Sequence, residues 1–477
     1  MPSKKLVALL GAFSKADLSR FNKFLYSPYF NENEEVKKLF GVIELHFRGK
    51  TPKQLNIMDK VQVWRRIFRQ KSFNDAYLRK LCYELGRLAN SFLLLESQKK
   101  QKLDSEVELL GIYNERQLFQ HFDSLSKKID HGEVQEATGI DYYYHRYRYE
   151  LLNHIKLEQS VGKFKSLDNL EQADYYLDCF FIVKKLKLFC DVLDYKRSVS
   201  KEAKITMIPG FLNYVEQSSF IQDALIKAYL LVAKMLREKD KEIHFYDLKQ
   251  VLLEHAEAIP KKELKTLYIY LINYCIDTKI NAGRSSYFHE LFDLYRAVLN
   301  EGLFLEKEII SSQDYKNIIT VGLNVKDFEW VEHFIQKYTQ KLPEEHQENA
   351  LNYNLAKVYF HKEEYQKVIG QLREVEYENL VYALGSKLML LKTYYELSEF
   401  IALDSLVDSF RIYLRRNKAI SGEVKQQYMN VLRFVKKLSN MDGYNQEGLK
   451  KVKKQVIDCK ALASKKWILQ KIALMEK

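Results

Sequence analysis

A helical chain does chemistry through a nucleophile beside a base, a phosphate-cradling loop or a pair of metal ligands. This sequence of 477 residues offers the residue types but not the spacings. Its five cysteines, Cys82, Cys179, Cys190, Cys275 and Cys459, include no C-x-x-C pair. Their odd number and scatter imply reduced, mostly buried thiols and a cytoplasmic setting. Cys179 and Cys190 fall on one face of a long helix, but no histidine lies nearby to activate a thiolate. The eleven histidines never stand three or four residues apart, which removes the helical zinc pair. Neither G-x-x-x-x-G-K-[ST] nor G-x-G-x-x-G occurs, so those nucleotide-binding loops are excluded by pattern. Asp168, Glu171, Asp174, Asp178, Asp191 and Asp194 recur at helical spacing, the signature of a solvated face more than of an acid–base pair. The sequence therefore assigns no catalytic residue, metal or cofactor. An enzyme would need a site assembled from distant residues, which is the third and weakest functional reading.

Positive charge is the more informative chemistry. Lysine and arginine number 76 against 63 acidic residues, a net charge of +13. From Phe400 to Lys477 there are 17 basic and 7 acidic residues, so most of the excess sits at the C-terminal end. Arg415, Arg416, Lys450, Lys451, Lys453, Lys454, Lys465 and Lys466 form a candidate basic patch, suited to an acidic protein, a lipid headgroup or nucleic acid. Nucleic-acid binding through that region and the arginines of residues 59–69 is the alternative functional reading. The plainer reading is a lysine-rich end that keeps a repeat array soluble. The run from Asp141 to Tyr149 interleaves Tyr and Arg. Such residues stack on unpaired bases, but more often fill space between helices with their hydroxyls at the wet edge.

The elements that must position these groups are helices. Glycine and proline number only 17 and 6, and hydrophobic residues make up 47%. Few breakers and ample apolar content give long elements with short connections. Ser14-x-x-Asp17 is a capping signal for a helix carrying Leu18, Phe21, Phe24 and Leu25. A basic helix over about 59–69 turns Trp64 and Phe68 inward and Arg65, Arg66 and Arg69 outward. From Asn74 to about Glu96, Leu78, Leu81, Cys82, Leu85, Leu88, Ala89, Phe92 and Leu95 mark one buried face. Residues 1–100 thus read as an N-terminal helical module, with Lys99–Lys102 as a linker to residues 104–477. No stretch approaches the roughly 18 apolar residues of a membrane span. From about 445 to 477, Leu449, Val452, Val456, Cys459, Ala463 and Trp467 predict one basic amphipathic helix capping the array.

Between 312 and 418 the apolar pattern repeats every 35–37 residues or so. One unit near 312–345 has Tyr315-x2-Ile318, Val331-x3-Ile335 and Pro343. The next, near 349–382, has Leu355-Ala356-x2-Tyr359 followed by Val368 and Leu372. A third, near 384–418, has Leu390-Leu391-x2-Tyr394 and Leu403-x3-Val407. This pattern resembles the tetratricopeptide repeat, a stacked helix–turn–helix unit. The departures are Ile319 and Leu391 where that family prefers glycine, and Gly322 where a tyrosine is usual. Leu271, Cys275, Leu291 and Leu294 carry a weaker signal upstream. The expected fold is all-α, an α–α superhelix of tetratricopeptide-like helix pairs.

The resemblance implies that the first helix of each pair lines a groove. The matching positions are Lys316, Asn317 and Thr320, then Tyr353, Asn354, Lys357, Phe360 and His361, then Leu388, Lys392 and Tyr395. Such a groove, bearing lysines and aromatics, implies a non-enzymatic scaffold that binds a protein or peptide partner, an acidic one by charge.

Overall fold

The computed structural model describes residues 4–47, 59–99, 102–132, 139–160, 166–195, 207–306, 308–373, 380–441 and 446–476. Among these the chain is all-α and helical-repeat-like. It has twenty-three α-helices and one short antiparallel ribbon, Leu305–Glu306 against Ile309–Ile310. No described helix is long and apolar enough to cross a membrane. The chain divides into two compact units, Met1–Leu188 with Asn213–Ile226, and Phe189–Leu212 with Lys227–Lys477.

The first unit opens with α1 (Lys4–Gly11), α2 (Lys15–Tyr26), α3 (Glu34–Phe47), α4 (Lys60–Ile67) and α5 (Asp75–Gln98). Their starts are written locally. Ser14 accepts from the Asp17 amide while the Asp17 carboxylate accepts from the Ser14 amide, a full capping box. Asn74 caps α5 through the Tyr77 amide at 2.9 Å. These five helices bury one continuous core in which Leu10, Leu25, Val36, Leu39 and Leu85 are fully inaccessible. Fully burying each such side chain contributes about 1.5–3 kcal/mol. A second cluster around Val107, Leu110 and Phe122 joins α6 (Lys102–Glu115), α7 (Phe119–Asp130) and α8 (Ile140–Ser160). The chain then continues through α9 (Asp168–Tyr195), α10 (Phe211–Gln217) and α11 (Ala224–Arg237).

The second unit continues with α12 (Ile243–Glu254), α13 (Lys261–Asn273), a π-helical segment Tyr274–Ile280 and α14 (Tyr287–Asn300). Three helix pairs follow: α15 (Ser312–Val325) with α16 (Phe328–Tyr338), α17 (Gln347–His361) with α18 (Tyr365–Arg373), and α19 (Leu380–Glu396) with α20 (Phe400–Arg416). The chain closes with α21 (Gly422–Ser439), α22 (Gln446–Asp458) and α23 (Lys465–Met475).

The three pairs share a turn that the residue types do not announce. Lys326, Glu363 and Ser398 each adopt a left-handed backbone, at φ 62°, 61° and 57°. In each case the next amide reaches back five residues: Asp327 to the Gly322 carbonyl, Glu364 to Tyr359 and Glu399 to Tyr394. This closes the first helix and turns the chain into the second, a geometry usually given to glycine. The departures noted above also find their place. A Cβ on Gly322 would lie 2.4 Å from Val331 Cγ2, so its bare backbone is what lets α16 pack closely. Ile319 and Leu391 are fully buried.

The single C-terminal helix expected over about 445–477 is instead two. Residue 445 lies outside the described residues, and α22 ends at Asp458. Ser464 is left-handed at φ 53°, and Lys465 Nζ hydrogen-bonds the carbonyls of Ile457 and Cys459 at the end of α22. Asn430 Nδ2 on α21 donates to the Ala461 carbonyl at 2.8 Å and holds the connection. The break folds α23 back so that Ile468 and Ile472 join Leu449, Val452 and Val456 in one core with α19, α20 and α21. Both helices cap the last pair, an arrangement in which a straight helix would leave half its apolar stripe in water.

Candidate functional site

The side chains that project from α15, α17 and α19 on one side form a strip in which lysines alternate with aromatic rings. On α17, Tyr353, Lys357 and His361 are four residues apart and therefore share a face. Tyr353 meets Tyr382 of α19 edge to face, with ring centroids 5.3 Å apart. Lys316 of α15 places its ammonium 5.7 Å from the Tyr382 centroid, and Lys357 lies 6.0 Å from that of Tyr353. Further along, Lys392 of α19 sits 5.9 Å from the Phe360 ring and 5.6 Å from Trp467 of α23. Tyr395 closes that end, with its ring 5.5 Å from Trp467 and its hydroxyl donating to Met475 Sδ. Glu396 accepts from Trp467 Nε1 at 2.8 Å and from Lys471.

The close approach of Tyr353 to α19 depends on Gly385. A Cβ at that position would lie 2.4 Å from the Tyr353 hydroxyl. Sequence reading passed over Gly385, Tyr382 and Trp467 as site residues. The helical spacing of Gly385 to Lys392 on one α19 face was the available signal for the first, and nothing local marks Trp467.

Electrostatically the strip is out of balance. Among the described residues, Lys316, Lys357 and Lys392 form no ion pair. Burial and the neighbouring Lys316 ammonium together push Lys357 down to about 8. Burial also pushes Lys392 down to about 8, against a pull in the other direction from Glu396. His361 titrates below its usual range because its surroundings desolvate its cation and both Lys357 and Lys392 repel it. Aromatic faces offset part of this cost, since a cation over a ring gains about 0.5–2 kcal/mol. They do not replace a carboxylate.

Two expected asparagines lie off the strip. Asn354 is 1% exposed and its amide donates to the Ala350 carbonyl at 2.7 Å, so it faces the packing side of α17. Asn317 turns toward Tyr295 and accepts from Gln313 Nε2 at 2.9 Å. Thr320 bonds back to the Lys316 carbonyl of its own helix.

The C-terminal basic residues are differently placed. Arg415, Arg416, Lys450, Lys451, Lys454 and Lys466 are exposed. Lys453 is held by Glu476 at 2.7 Å, and Lys465 is engaged in capping α22. The Tyr–Arg run of α8 spends several of its polar groups on bonds within the fold. The Tyr143 hydroxyl bonds Asp223, that of Tyr149 pairs with Ser126 at 2.6 Å, and Arg146 lies over Tyr149 and bonds Glu150 at 2.7 Å. Burial raises the Cys179 thiol to about 12 and Cys190 well above its normal value, so neither carries thiolate at neutral pH. Asp191 accepts from the Tyr270 hydroxyl at 2.5 Å and Asp194 from Asn273 Nδ2 at 3.2 Å.

No family model, curated protein or solved structure matches this chain in comparisons with each.

Proposed function

We propose that the chain is a non-enzymatic scaffold whose helix pairs over 312–418 are divergent tetratricopeptide-type repeats, and that the lysine–aromatic strip captures an acidic segment of a partner protein. One observation carries this reading. Lys316 and Lys357 flank a single Tyr353–Tyr382 ring pair, and neither forms an ion pair among the described residues. Desolvated cations without counter-ions destabilise the free protein, and an anionic ligand offsets that penalty on binding. The rings supply contact area beside each charge, as aromatic anchors do at interfaces.

The test replaces Lys357 and Lys392 together with glutamate in the full chain. Retention of acidic, aromatic-bearing peptides should fall at least about tenfold, while the melting temperature does not drop. Unchanged retention would discard the strip as the capture surface. Capture that disappears on nuclease treatment, with a log–log salt slope near −0.9 for each neutralised duplex phosphate, would instead place function in nucleic-acid binding.

A further inference from the structure

The longest described helix, α9, is apolar on two opposite faces. One face, with Cys179, Ile182, Val183 and Leu186, is buried. The other carries Leu170, Leu177, Phe181 and Leu188, which fall within about 40° of one another around the helix. They are 36%, 41%, 44% and 52% exposed, and all lie in the first unit. Single exposed leucines are ordinary, but a stripe about 27 Å long marks a contact face. A helix apolar on both sides is one packed on both sides. Charge along the stripe is divided by sign. Asp174 stands within its N-terminal half and Lys184 within its C-terminal half, with Glu171 and Lys185 along one edge. None of these four forms an ion pair among the described residues. The acidic half also repels itself: burial first and Asp174 second push the Asp178 carboxyl up.

We propose that the exposed stripe of α9 is a homodimer interface, pairing with the same stripe of a second copy that runs antiparallel. Counted outward from the level of Cys179, the stripe is self-complementary. Leu177 and Phe181 lie two residues to either side, Asp174 and Lys184 five, and Leu170 and Leu188 nine. A two-fold axis at that level sets Leu177 against Phe181, Asp174 against Lys184 and Leu170 against Leu188, each twice. Opposite charges in a layer between apolar layers fix register and direction, as polar residues do at core positions of coiled coils. Glu171 and Lys185 come to nearly the same level on their shared edge. Parallel pairing would set Asp174 against itself and Lys184 against itself. A partner of one charge sign would satisfy only half of the stripe, whereas a second copy satisfies both. Asp178, beside the centre, meets its own copy and holds the affinity below that of a fully matched pair. The pairing does not depend on the lysine–aromatic strip.

The experiment follows the full-length protein by sedimentation velocity and light scattering from about 1 to about 100 µM, where a concentration-dependent dimer should form. Leu177→Glu with Leu188→Glu should abolish it and leave helicity and melting temperature unchanged, since both side chains are exposed. Asp174→Lys alone, or Lys184→Asp alone, sets like charges in one layer and should weaken dimerisation at least about tenfold. The two reversals together should restore it, because each layer again pairs opposite charges. This series decides the question even where the paired glutamates disturb folding. A chain that stays monomeric throughout overturns the proposal and leaves the stripe to a different protein. A dimer that survives both glutamates overturns α9 as its interface. Single reversals that weaken the dimer without rescue by the double variant overturn the antiparallel register. Peptide capture that fails in a separate assay counts against the scaffold reading and leaves these dimerisation constants standing.

Discussion

Two lysines in the second unit lie over tyrosine rings and have opposite electrostatic fates. Lys279, in the π-helical segment, is 2% exposed, with its ammonium 5.2 Å from the Tyr274 centroid and 5.4 Å from that of Tyr287. Lys357 has one ring at 6.0 Å. Burial pushes Lys279 down, but hydrogen bonds to Glu242, at 2.6 Å, and to Tyr274 outweigh it, and its pKa ends above the usual value. Lys357 has no ion pair among the described residues, and burial, with the neighbouring Lys316 ammonium second, takes its pKa down. Aromatic rings are common to both settings, so the difference lies in the counter-ion. A complete cage is a structural ion pair, and an incomplete one leaves its cation desolvated with no ion pair among the described residues.

The largest expected effect comes from making the first region resemble the second. Glu242→Gln leaves Lys279 buried without its anion, removes the partner of the exposed Arg284 as well, and should cost about 2–4 kcal/mol in denaturant unfolding. Loss below about 1 kcal/mol would mean that the rings alone hold that cation.

The next effect follows from pH. Lys357 and Lys392 bind fewer protons folded than unfolded between about 8 and their ordinary values near 10.5, so stability rises with pH across that window. Between pH 7 and 9 each should add about 1 kcal/mol. The Lys357→Met/Lys392→Met double variant should be more stable at pH 7 and lose this rise. Lys279, with its raised pKa, contributes stability that is lost only above 10.5, and so no slope here. Parallel stability–pH curves for the two proteins would refute the low titration of the strip.

The smallest effect is the sharpest. Lys316→Glu supplies the missing carboxylate and should move Lys357 upward by about 1–2 pH units, read by NMR of ¹³C-methylated lysines. No movement would show that burial, rather than Lys316, sets the state of Lys357.

The helices were legible because their signals are local. Ser14 with Asp17, Asn74, and the apolar face from Leu78 to Phe92 set boundaries that the structure reproduces within a residue or two. The pairs over 312–418 were also legible from Tyr315, Ile318, Val331, Val368, Leu403 and Val407, all but fully buried. The turns were not, since Lys326, Glu363 and Ser398 are not glycines and only their backbone reveals them. Counting charge pointed to the C-terminal lysines, most of which are exposed or already engaged. The strip draws on Lys316, Lys357 and Lys392 from three separate helices, in a stretch whose net charge is unremarkable. Asn354 shows the limit of aligning by position: one residue from Tyr353, it turns a third of the way round α17 and is buried.

By itself the sequence determined that this protein is all-α, where most helices start and stop, and which face of each is apolar. Capping, helical periodicity and scarcity of glycine and proline act over a few residues, so the chain carries them in plain order. Only the tertiary structure decided that the C-terminal segment breaks at Ser464, and that Trp467 meets Lys392 across 75 residues of chain. It alone set Lys357 over a tyrosine ring with no ion pair among the described residues. Burial and counter-ions belong to the space between helices, and a pKa depends on what that space contains.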